Sequence, residues 1–194
     1  MPRPDVRTAT PADETAAIGT IMLAFSADPM ARWCWPHPHQ YVSVMPAFIH
    51  AFAGRGFSRN GAFCTDGYVG AALWLPPGVE SDDAALDETM ARTAAPSVLG
   101  DAMKVVEQMQ ACHPKEPHWY LPVIGVDPAH QGKGHGDALM AYALAQCDRE
   151  HAPAYLESSN PRNISLYKRH GFEIIKTIQV GASPPVVPML RKPR

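Results

Sequence analysis

The stretch Val126-Asp-Pro-Ala-His-Gln-Gly-Lys-Gly-His-Gly136 stands between an apolar run and an amphipathic run. The preceding residues 119–126 are aromatic and β-branched, as in a buried strand, and Asp127-Pro128 has the turn chemistry that ends one. The following residues predict a helix, because apolar side chains recur at helical spacing from Met140 to Cys147. Glycines at a helix N-terminus let an anion approach unpaired N–H groups, so this stretch predicts a cradle for a pyrophosphate. The glycines concerned are Gly132, Gly134 and Gly136.

Two other phosphate-binding motifs do not fit this spacing. A dinucleotide fingerprint requires G-x-G-x-x-G, but Asp137 stands where the third glycine would follow Gly132 and Gly134. A P-loop requires Ser or Thr after its lysine, whereas Gly134 follows Lys133. A glycine-rich turn that only joins a strand to a helix remains the alternative interpretation.

The composition favours one globular domain over residues 1–194. The chain has 194 residues, of which 46% are hydrophobic. A chain of this length can bury roughly 70% of its unfolded surface in a single domain. Its 17 basic and 19 acidic residues give a net charge of −2 without a basic block. Nucleic acid is therefore not expected as a partner.

The cysteines and histidines do not indicate a metal site. The 4 cysteines lie far apart without a C-x-x-C pair, which favours reduced thiols over zinc ligands or disulfides. His37 and His39 form the close histidine pair, and H-E-x-x-H is absent. The N-terminus lacks an apolar signal region, and no apolar run reaches the roughly 18 residues of a membrane span. We expect a cytoplasmic protein with no membrane partner, as a monomer or a homodimer.

The first half of the chain predicts helices around a hairpin. A short strand at residues 6–9 precedes Thr10-Pro11, which has the capping chemistry of a helix start, and the helix should end near Asp28-Pro29. Asp66-Gly67 between two apolar runs predicts a tight hairpin. Helical patterns at about residues 79–113 predict an insertion before the central strand.

Trp33 and Trp35 lie in a proline-broken connection between predicted helices. An aromatic cluster of this kind can pack in a core, or it can wall a pocket for a small organic molecule. Both interpretations stay open from the residues alone. We take these two tryptophans, together with His118, as candidate substrate-binding residues.

Pro122 lies inside the predicted strand before the cradle, where a central strand rarely contains proline. Proline donates no ladder hydrogen bond, so strand pairing should break there. A bulge or break splays neighbouring strands and leaves backbone N–H and C=O groups free for a ligand. The sequence therefore predicts a splayed sheet.

The last third of the chain alternates strand and helix patterns, which indicates an α/β fold class. Residues 154–158 predict a strand, and residues 163–170 predict a short helix stopped by Gly171. Residues 172–180 and 186–190 predict two further strands.

Two motifs resemble those of the GNAT N-acetyltransferase superfamily. Gln131-x-x-Gly134-x-Gly136 resembles its acetyl-CoA signature, and a second signature runs from Asn160 and Asn163 through Tyr167 to Gly171-Phe172. The resemblance implies a GNAT fold, with a central mixed and splayed β-sheet flanked by α-helices. It also implies an enzyme, an N-acetyltransferase that takes acetyl-CoA as co-substrate, with an acetyl-CoA-binding core at about residues 118–172.

Residues 113–194 are similar in particular to puromycin N-acetyltransferase, another member of that superfamily. This similarity implies that the acceptor is the primary amine of a small molecule, an α-amino group in particular. A small aromatic or amphipathic amine is favoured by the residues that can wall a closed pocket, which are Trp33, Trp35, Tyr41 and the insertion from Asp82 to Cys112. The matching segments are His113-Pro-Lys-Glu-Pro117, Trp119, Gly125-Val126, His130-Gln-Gly-Lys-Gly134, Leu156-Glu-Ser158, Pro161-Arg-Asn163 and Arg191-Lys-Pro193.

The resemblance also implies which residues hold the co-substrate. Backbone groups of Ile124 to Val126 should pair with the pantetheine arm, and the cradle should hold the pyrophosphate. Either Asn160 or Asn163 should contact the arm near the thioester. The complete expected set is Ile124, Gly125, Val126, Gln131, Gly132, Lys133, Gly134, His135, Gly136, Asp137, Asn160, Asn163 and Tyr167.

The reaction implied is direct attack of a neutral amine on the thioester carbonyl. Tyr167 is protonated at pH 7 and is the candidate general acid for the leaving thiolate, with a merely packed core tyrosine as the alternative. Glu157 is the candidate base, because it is charged in an otherwise apolar strand. It could instead pair with Arg162, and His118 is the rival base.

Two other functions stay open, a non-catalytic acyl-CoA-binding module and a peptide or protein N-acetyltransferase. Tyr167 argues against the first, because a binding module needs no acid. A closed aromatic pocket would argue against the second, since a peptide needs an open groove.

Overall fold

The computed structural model describes residues 3–194, whose strands form one mixed sheet. The β4–β5 pair is parallel, and the other neighbouring pairs are antiparallel. The order across the sheet is β1-β2-β3-β4-β5-β7-β6. The strands are β1 (Val6–Thr8), β2 (Ala62–Thr65), β3 (Gly70–Leu75), β4 (Trp119–Val126), β5 (Ala154–Ser158), β6 (Glu173–Ile174) and β7 (Val187–Arg191).

Helices cover both faces of this sheet. One core packs α1 and α3 against one face, and a second core packs α6 and α7 against the other. The predicted α/β GNAT fold with a mixed sheet flanked by helices is therefore confirmed. The helices are α1 (Glu14–Ala24), α2 (Pro29–Cys34), α3 (Pro38–Ala53), α4 (Asp83–Thr93), α5 (Pro96–Gln110), α6 (His135–Arg149) and α7 (Ile164–Arg169).

The helices within residues 3–194 are short or polar by membrane standards. None of those described is long and apolar enough to cross a bilayer.

The helices α4 and α5 lie between β3 and β4. Helix α5 begins at Pro96, and in the first turn of a helix a missing N–H costs nothing.

Strand β4 contains a bulge at the proline that the sequence singled out. Tyr120 pairs with Leu75 and Val123 pairs with Leu73, so β4 advances three residues while β3 advances two. On its other side, β4 pairs with β5 only as far as Leu121. The two strands separate from Pro122 onwards, because the bulge turns Val123 towards its β3 partner Leu73, and the β5 ladder loses its next donor.

Two predicted strand features differ in the structure. The β2–β3 connection is a longer turn over Asp66–Tyr68, in which Gly67 and Tyr68 both have positive φ, and not a two-residue hairpin. The strand predicted at residues 172–180 is reduced to β6 and one isolated bridge, Ile178 to Val186. Ile175 still donates to the carbonyl of Pro188, but this proline has no N–H to return, so the ladder ends.

Helix α1 rests directly on the backbone of β4 at Gly125. A Cβ atom at this position would lie 2.6 Å from Cβ of Ala24 and 3.2 Å from Cα of Ile21. Real Cβ atoms do not approach other atoms so closely, so any side chain would push α1 away from the sheet. The absence of a side chain sets the distance between helix and strand.

Gly125→Ala should therefore destabilise the protein by about 1–3 kcal/mol, the usual cost of overpacking a core. Gly19→Ala is the matched control. Gly19 lies in α1, the helix that packs on Gly125, and has nothing within 4 Å of its added Cβ. That control should be neutral or stabilising by about 0.5–1 kcal/mol, since alanine favours a helix. Urea unfolding of both variants measures the difference, and equal stabilities would contradict the close packing.

Candidate active site

A cleft opens where β4 and β5 separate. The edge of β4 beyond Leu121 has no strand partner on this side, so its backbone groups face the opening. Residues from both strands, the α1–α2 connection and α7 line the cleft, which brings together distant parts of the chain. The lining residues are Phe25, Leu121, Pro122, Ile124, Leu156, Glu157, Ser158, Ser159, Asn163 and Tyr167.

The glycine-rich stretch forms a loop of free amides at the start of α6. None of the backbone N–H groups from Gln131 to Asp137 donates a hydrogen bond within residues 3–194, and the first to do so is that of Ala138, to Gly134. Gly134 caps the helix with φ 88°, a left-handed conformation that glycine adopts without strain. The loop therefore offers a run of donors, reinforced by the positive end of the helix dipole.

Side chains of the loop are held away from these amides. Gln131 donates to the carbonyl of Val126 at 3.2 Å, and Lys133 donates to the carbonyl of Ala129 at 3.2 Å. Nδ1 of His135 lies 3.3 Å from Oγ1 of Thr65, and burial lowers the pKa of this histidine. These contacts leave the backbone as the main anion-binding surface of the loop.

The carboxylate of Asp137 is already paired. His170 Nε2 lies 2.8 Å from its Oδ1, and the Arg3 guanidinium lies 3.1 Å from its Oδ2. The negative charge at the start of α6 is thereby balanced by neighbouring groups, while the N–H of Asp137 stays free.

Tyr167 lies in the wall of the cleft and is 5% exposed. Burial raises the pKa of its hydroxyl well above the ordinary value, and the nearby Asp28 carboxylate raises it further. A raised pKa keeps this phenol protonated throughout the neutral range. The side chain can therefore donate a proton into the cleft.

The two candidate asparagines occupy different positions. Asn163 lines the cleft next to Tyr167, and its side chain acts to lower the tyrosine pKa, against the effect of burial. Asn160 uses its side-chain oxygen to cap the following turn, accepting from the N–H of Arg162 at 3.1 Å. The geometry favours Asn163 for contact with a ligand in the cleft.

Glu157 is a buried carboxylate whose side chain is 3% exposed. Its Oε1 atom lies 3.2 Å from Nε2 of His113, yet has no hydrogen bond from any of residues 3–194 in this geometry. The alternative pairing with Arg162 is not seen within the described residues. Glu157 therefore belongs to the lining of the cleft, but its Oε1 is closed off from solvent and faces His113.

His118 stands behind His113 and does not face the carboxylate directly. Its Nε2 lies 3.3 Å from Nδ1 of His113, and its Nδ1 donates to the carbonyl of Glu116 at 2.8 Å. Burial lowers the pKa of His118, and the neighbouring His113 adds to this effect. His118 is therefore a neutral residue at pH 7 that contacts Glu157 only through His113.

The two candidate tryptophans belong mainly to the core. Trp35 is 2% exposed, stacks edge-on against Phe48, and donates from Nε1 to Oγ1 of Thr93 at 3.0 Å. It has almost no surface left for a substrate. The prediction that Trp35 lines the substrate pocket is therefore wrong, and this residue belongs to the core. Trp33 is partly buried against the same core and retains an exposed part.

Two residues near the cleft were not identified from the sequence. His113 lies just after α5 and reaches Glu157 from a distant part of the chain. Asp28 is buried at the start of α2, where it accepts from Met30 and Ala31 and from Oγ of Ser159 at 2.7 Å. Burial raises the pKa of this carboxyl. The sequence indicated Asp28-Pro29 only as the end of a helix, and no local pattern shows the contact of Asp28 with Ser159, which follows β5.

The sequence matches the acetyltransferase (GNAT) family over residues 23–172. An uncharacterized N-acetyltransferase of Schizosaccharomyces pombe is 25% identical over 198 residues, which cover 93% of this chain and 80% of the yeast protein. The family match covers the cradle and all the residues that line the cleft.

Solved structures share the fold. A Corynebacterium glutamicum structure described as histone acetyltransferase HPA2 and related acetyltransferase has a TM-score of 0.70 and 26% identity, over 100% of this chain and 98% of that one. Drosophila melanogaster polyamine N acetyltransferase has a TM-score of 0.68 and 15% identity, over 97% of this chain and 99% of its own, which shows the fold alone. Because the family match covers both the cradle and the cleft, this chain belongs to the acetyltransferase (GNAT) family and is an N-acetyltransferase of that type.

Proposed function

We propose that this chain, acting as a single N-acetyltransferase domain, transfers an acetyl group from acetyl-CoA to the primary amine of a small molecule. The observation that carries the proposal is the cleft itself, which has a protonated Tyr167 and the buried Glu157 on its walls. The loop of free amides lies at the start of α6, next along the chain to the free edge of β4.

The co-substrate fits these features part by part. The free amides from Gln131 to Asp137 suit a pyrophosphate, and the unpaired edge at Ile124 to Val126 suits the amide groups of pantetheine. Asn163 is the asparagine we propose for contact near the thioester. Bound in this way, acetyl-CoA supplies the activated acyl group.

The proposed residue roles follow from burial and hydrogen-bonding capacity. Glu157 takes the proton of the acceptor ammonium, because it is the carboxylate on the lining of the cleft and Arg162 does not pair with it within the described residues. Tyr167 protonates the sulfur that leaves, since its raised pKa keeps it in the acid form. A backbone N–H of β4 near Val126 stabilises the oxyanion.

The acceptor is proposed to be a small aromatic or amphipathic amine. A solved structure with this fold is described as a polyamine N acetyltransferase that forms N acetylagmatine, the acetylated product of a small amine. We propose that the resemblance of residues 113–194 to puromycin N-acetyltransferase extends to the same acceptor class. With Trp35 in the core, the aromatic wall would come from Phe25 and the exposed part of Trp33.

A peptide or protein acceptor is the second candidate. It is favoured by the 26% identical Corynebacterium glutamicum structure, whose description includes a histone acetyltransferase. The test is release of free thiol from acetyl-CoA with a panel of small amines and lysine peptides. Faster release with small amines is expected. Faster release with peptides would select the second candidate, and acetyl-CoA binding without release would indicate a non-catalytic module.

Gly134→Val should abolish most of the stabilisation that acetyl-CoA gives. At a concentration one hundred times its dissociation constant the ligand should stabilise the native protein by about 2.7 kcal/mol. Gly78→Val is the matched control, because Gly78 has φ 80°, close to that of Gly134, and nothing within 4 Å of its added Cβ. Thermal shifts with and without acetyl-CoA measure the effect. Equal ligand-induced shifts in the two variants would argue against the cradle.

Tyr167→Phe removes the hydroxyl and keeps the ring, so acetyl-CoA should still bind while turnover falls by roughly 100-fold or more. Tyr142→Phe is the control, because Tyr142 is 43% exposed and lies outside the cleft. The measurement combines thiol release with a binding titration. Unchanged turnover in Tyr167→Phe would rule out its role as general acid.

Glu157→Gln should raise the pH optimum of the reaction, because without a base the rate follows the free-amine fraction of the acceptor. An α-amino group titrates near pH 8 and needs little help, so the loss should be modest for such an acceptor. A lysine-like amine costs about 4.6 kcal/mol to deprotonate at pH 7, so the loss should be far larger. Rate profiles with one acceptor of each kind test this, and identical profiles for both protein forms would exclude the base.

A further inference from the structure

Two histidines lead from the buried carboxylate of Glu157 towards solvent. The Glu157 side chain is 3% exposed, whereas that of His113, 3.2 Å away, is 30% exposed. The chain continues from Nδ1 of His113 to Nε2 of His118 at 3.3 Å, and from Nδ1 of His118 to the carbonyl of Glu116 at 2.8 Å. A proton on Glu157 therefore has an exit that does not pass through the cleft.

The hydrogen bonds fix the tautomers of both rings. A carbonyl only accepts, so Nδ1 of His118 carries a proton, and in the neutral ring Nε2 is the acceptor. Burial lowers the pKa of His118, which favours this neutral form. Nδ1 of His113 must then donate, which leaves Nε2 of His113 with a lone pair facing Oε1 of Glu157. The lone pair of Nε2 and the negative charge of Oε1 repel each other unless a proton lies between the two atoms.

The other groups around the pair do not compete for that proton. The pKa of Tyr120 and that of Tyr155 are both raised by burial and then by the Glu157 carboxylate, so both phenols stay protonated. Cys112 and Asp83 act on these phenols through their charges, and the Glu116 side chain is exposed. Glu157 and His113 are thus left as the exchanging pair.

We propose that His113 is a proton-relay residue that takes the acceptor's proton from Glu157 and passes it to solvent. The inference rests on the proposed function of Glu157 as the base, and it assigns a role to a residue outside that mechanism. His113 does not touch the acceptor amine; it acts through the carboxylate that does. Its exposed edge supplies the path that the buried carboxylate lacks.

Each turnover moves one proton from the acceptor amine to solvent. The ammonium N–H bond breaks, its electron pair stays on nitrogen for attack on the acyl carbon, and the proton forms an O–H bond at Glu157. That O–H bond then breaks as an N–H bond forms at Nε2 of His113, which becomes an imidazolium. The imidazolium turns Nε2 from Glu157 to its exposed side, releases that proton to water and keeps the Nδ1 proton, which restores the starting tautomer. The relay restores the carboxylate without a net change in the protein.

His113→Gln tests the relay, because glutamine can donate a hydrogen bond to Oε1 but cannot carry a proton onward. The high-pH plateau of kcat/KM should fall on the order of 10-fold, less than for loss of a direct base.

Chemical rescue and a matched control sharpen the rate test. Imidazole added to His113→Ala should restore part of the lost rate, since the site is open to solvent, and it should not restore Glu157→Gln. The control His39→Gln replaces an exposed histidine of α3 outside the cleft and should behave as wild type. If both His113 variants keep the wild-type plateau, the relay is wrong while the acetyltransferase proposal stands.

A second measurement needs no acceptor. Nitrogen-15 NMR of the full chain at high pH should show His113 and His118 as Nδ1–H tautomers, and His118→Ala should release this constraint on His113. An Nε2–H tautomer at His113 in the wild type would overturn the relay. Absence of thiol release with every amine, by contrast, would refute the proposed function first and the relay with it.

Discussion

The bulge of β4 at Pro122 is the constraint on which the site depends. A central parallel pair would normally bond along its whole length and leave no room between strands. Here the β4–β5 ladder stops at Leu121, and the bulge lets β4 bend away while it stays paired to β3. One irregularity in one strand therefore converts part of a continuous sheet into two walls and a free edge. The cleft is formed by the course of the backbone, and the side chains then line it.

Burial then determines the chemistry of the walls. The phenol of Tyr167 and the carboxyl of Asp28 both have pKa values raised by burial, so each is held towards its neutral form. Glu157 differs, because a partly exposed imidazole stands within ion-pair distance of its buried oxygen. An acid on one wall and a base with access to solvent on the other are what an acyl transfer to an amine requires.

Local patterns in the sequence predicted the elements that frame the site, and long-range contacts decided the rest. The strand at residues 119–126, the helix after the cradle and the strand at 154–158 follow from periodicity and turn residues. The strand predicted at 172–180 was wrong because Pro188, in a strand formed later in the chain, ends its ladder. Trp35 could not be assigned from spacing alone, since a core and a pocket wall have the same pattern. His113 gave no local signal, because only the fold brings it to Glu157. The roles of the individual site residues stay predictions.

The contact of α1 with Gly125 has a consequence for how such a site can change. The connection from Phe25 to Asp28, which lines one side of the cleft, follows directly from a helix seated on the backbone of the strand that would hold the acyl donor. Donor and acceptor sides are thus parts of one rigid body, and a shift of an ångström between them would cost rate. A change of acceptor specificity would therefore require substitutions in parts of the fold that do not shift α1 relative to β4. The α4–α5 insertion, with its exposed polar faces, is the part of the fold with that freedom.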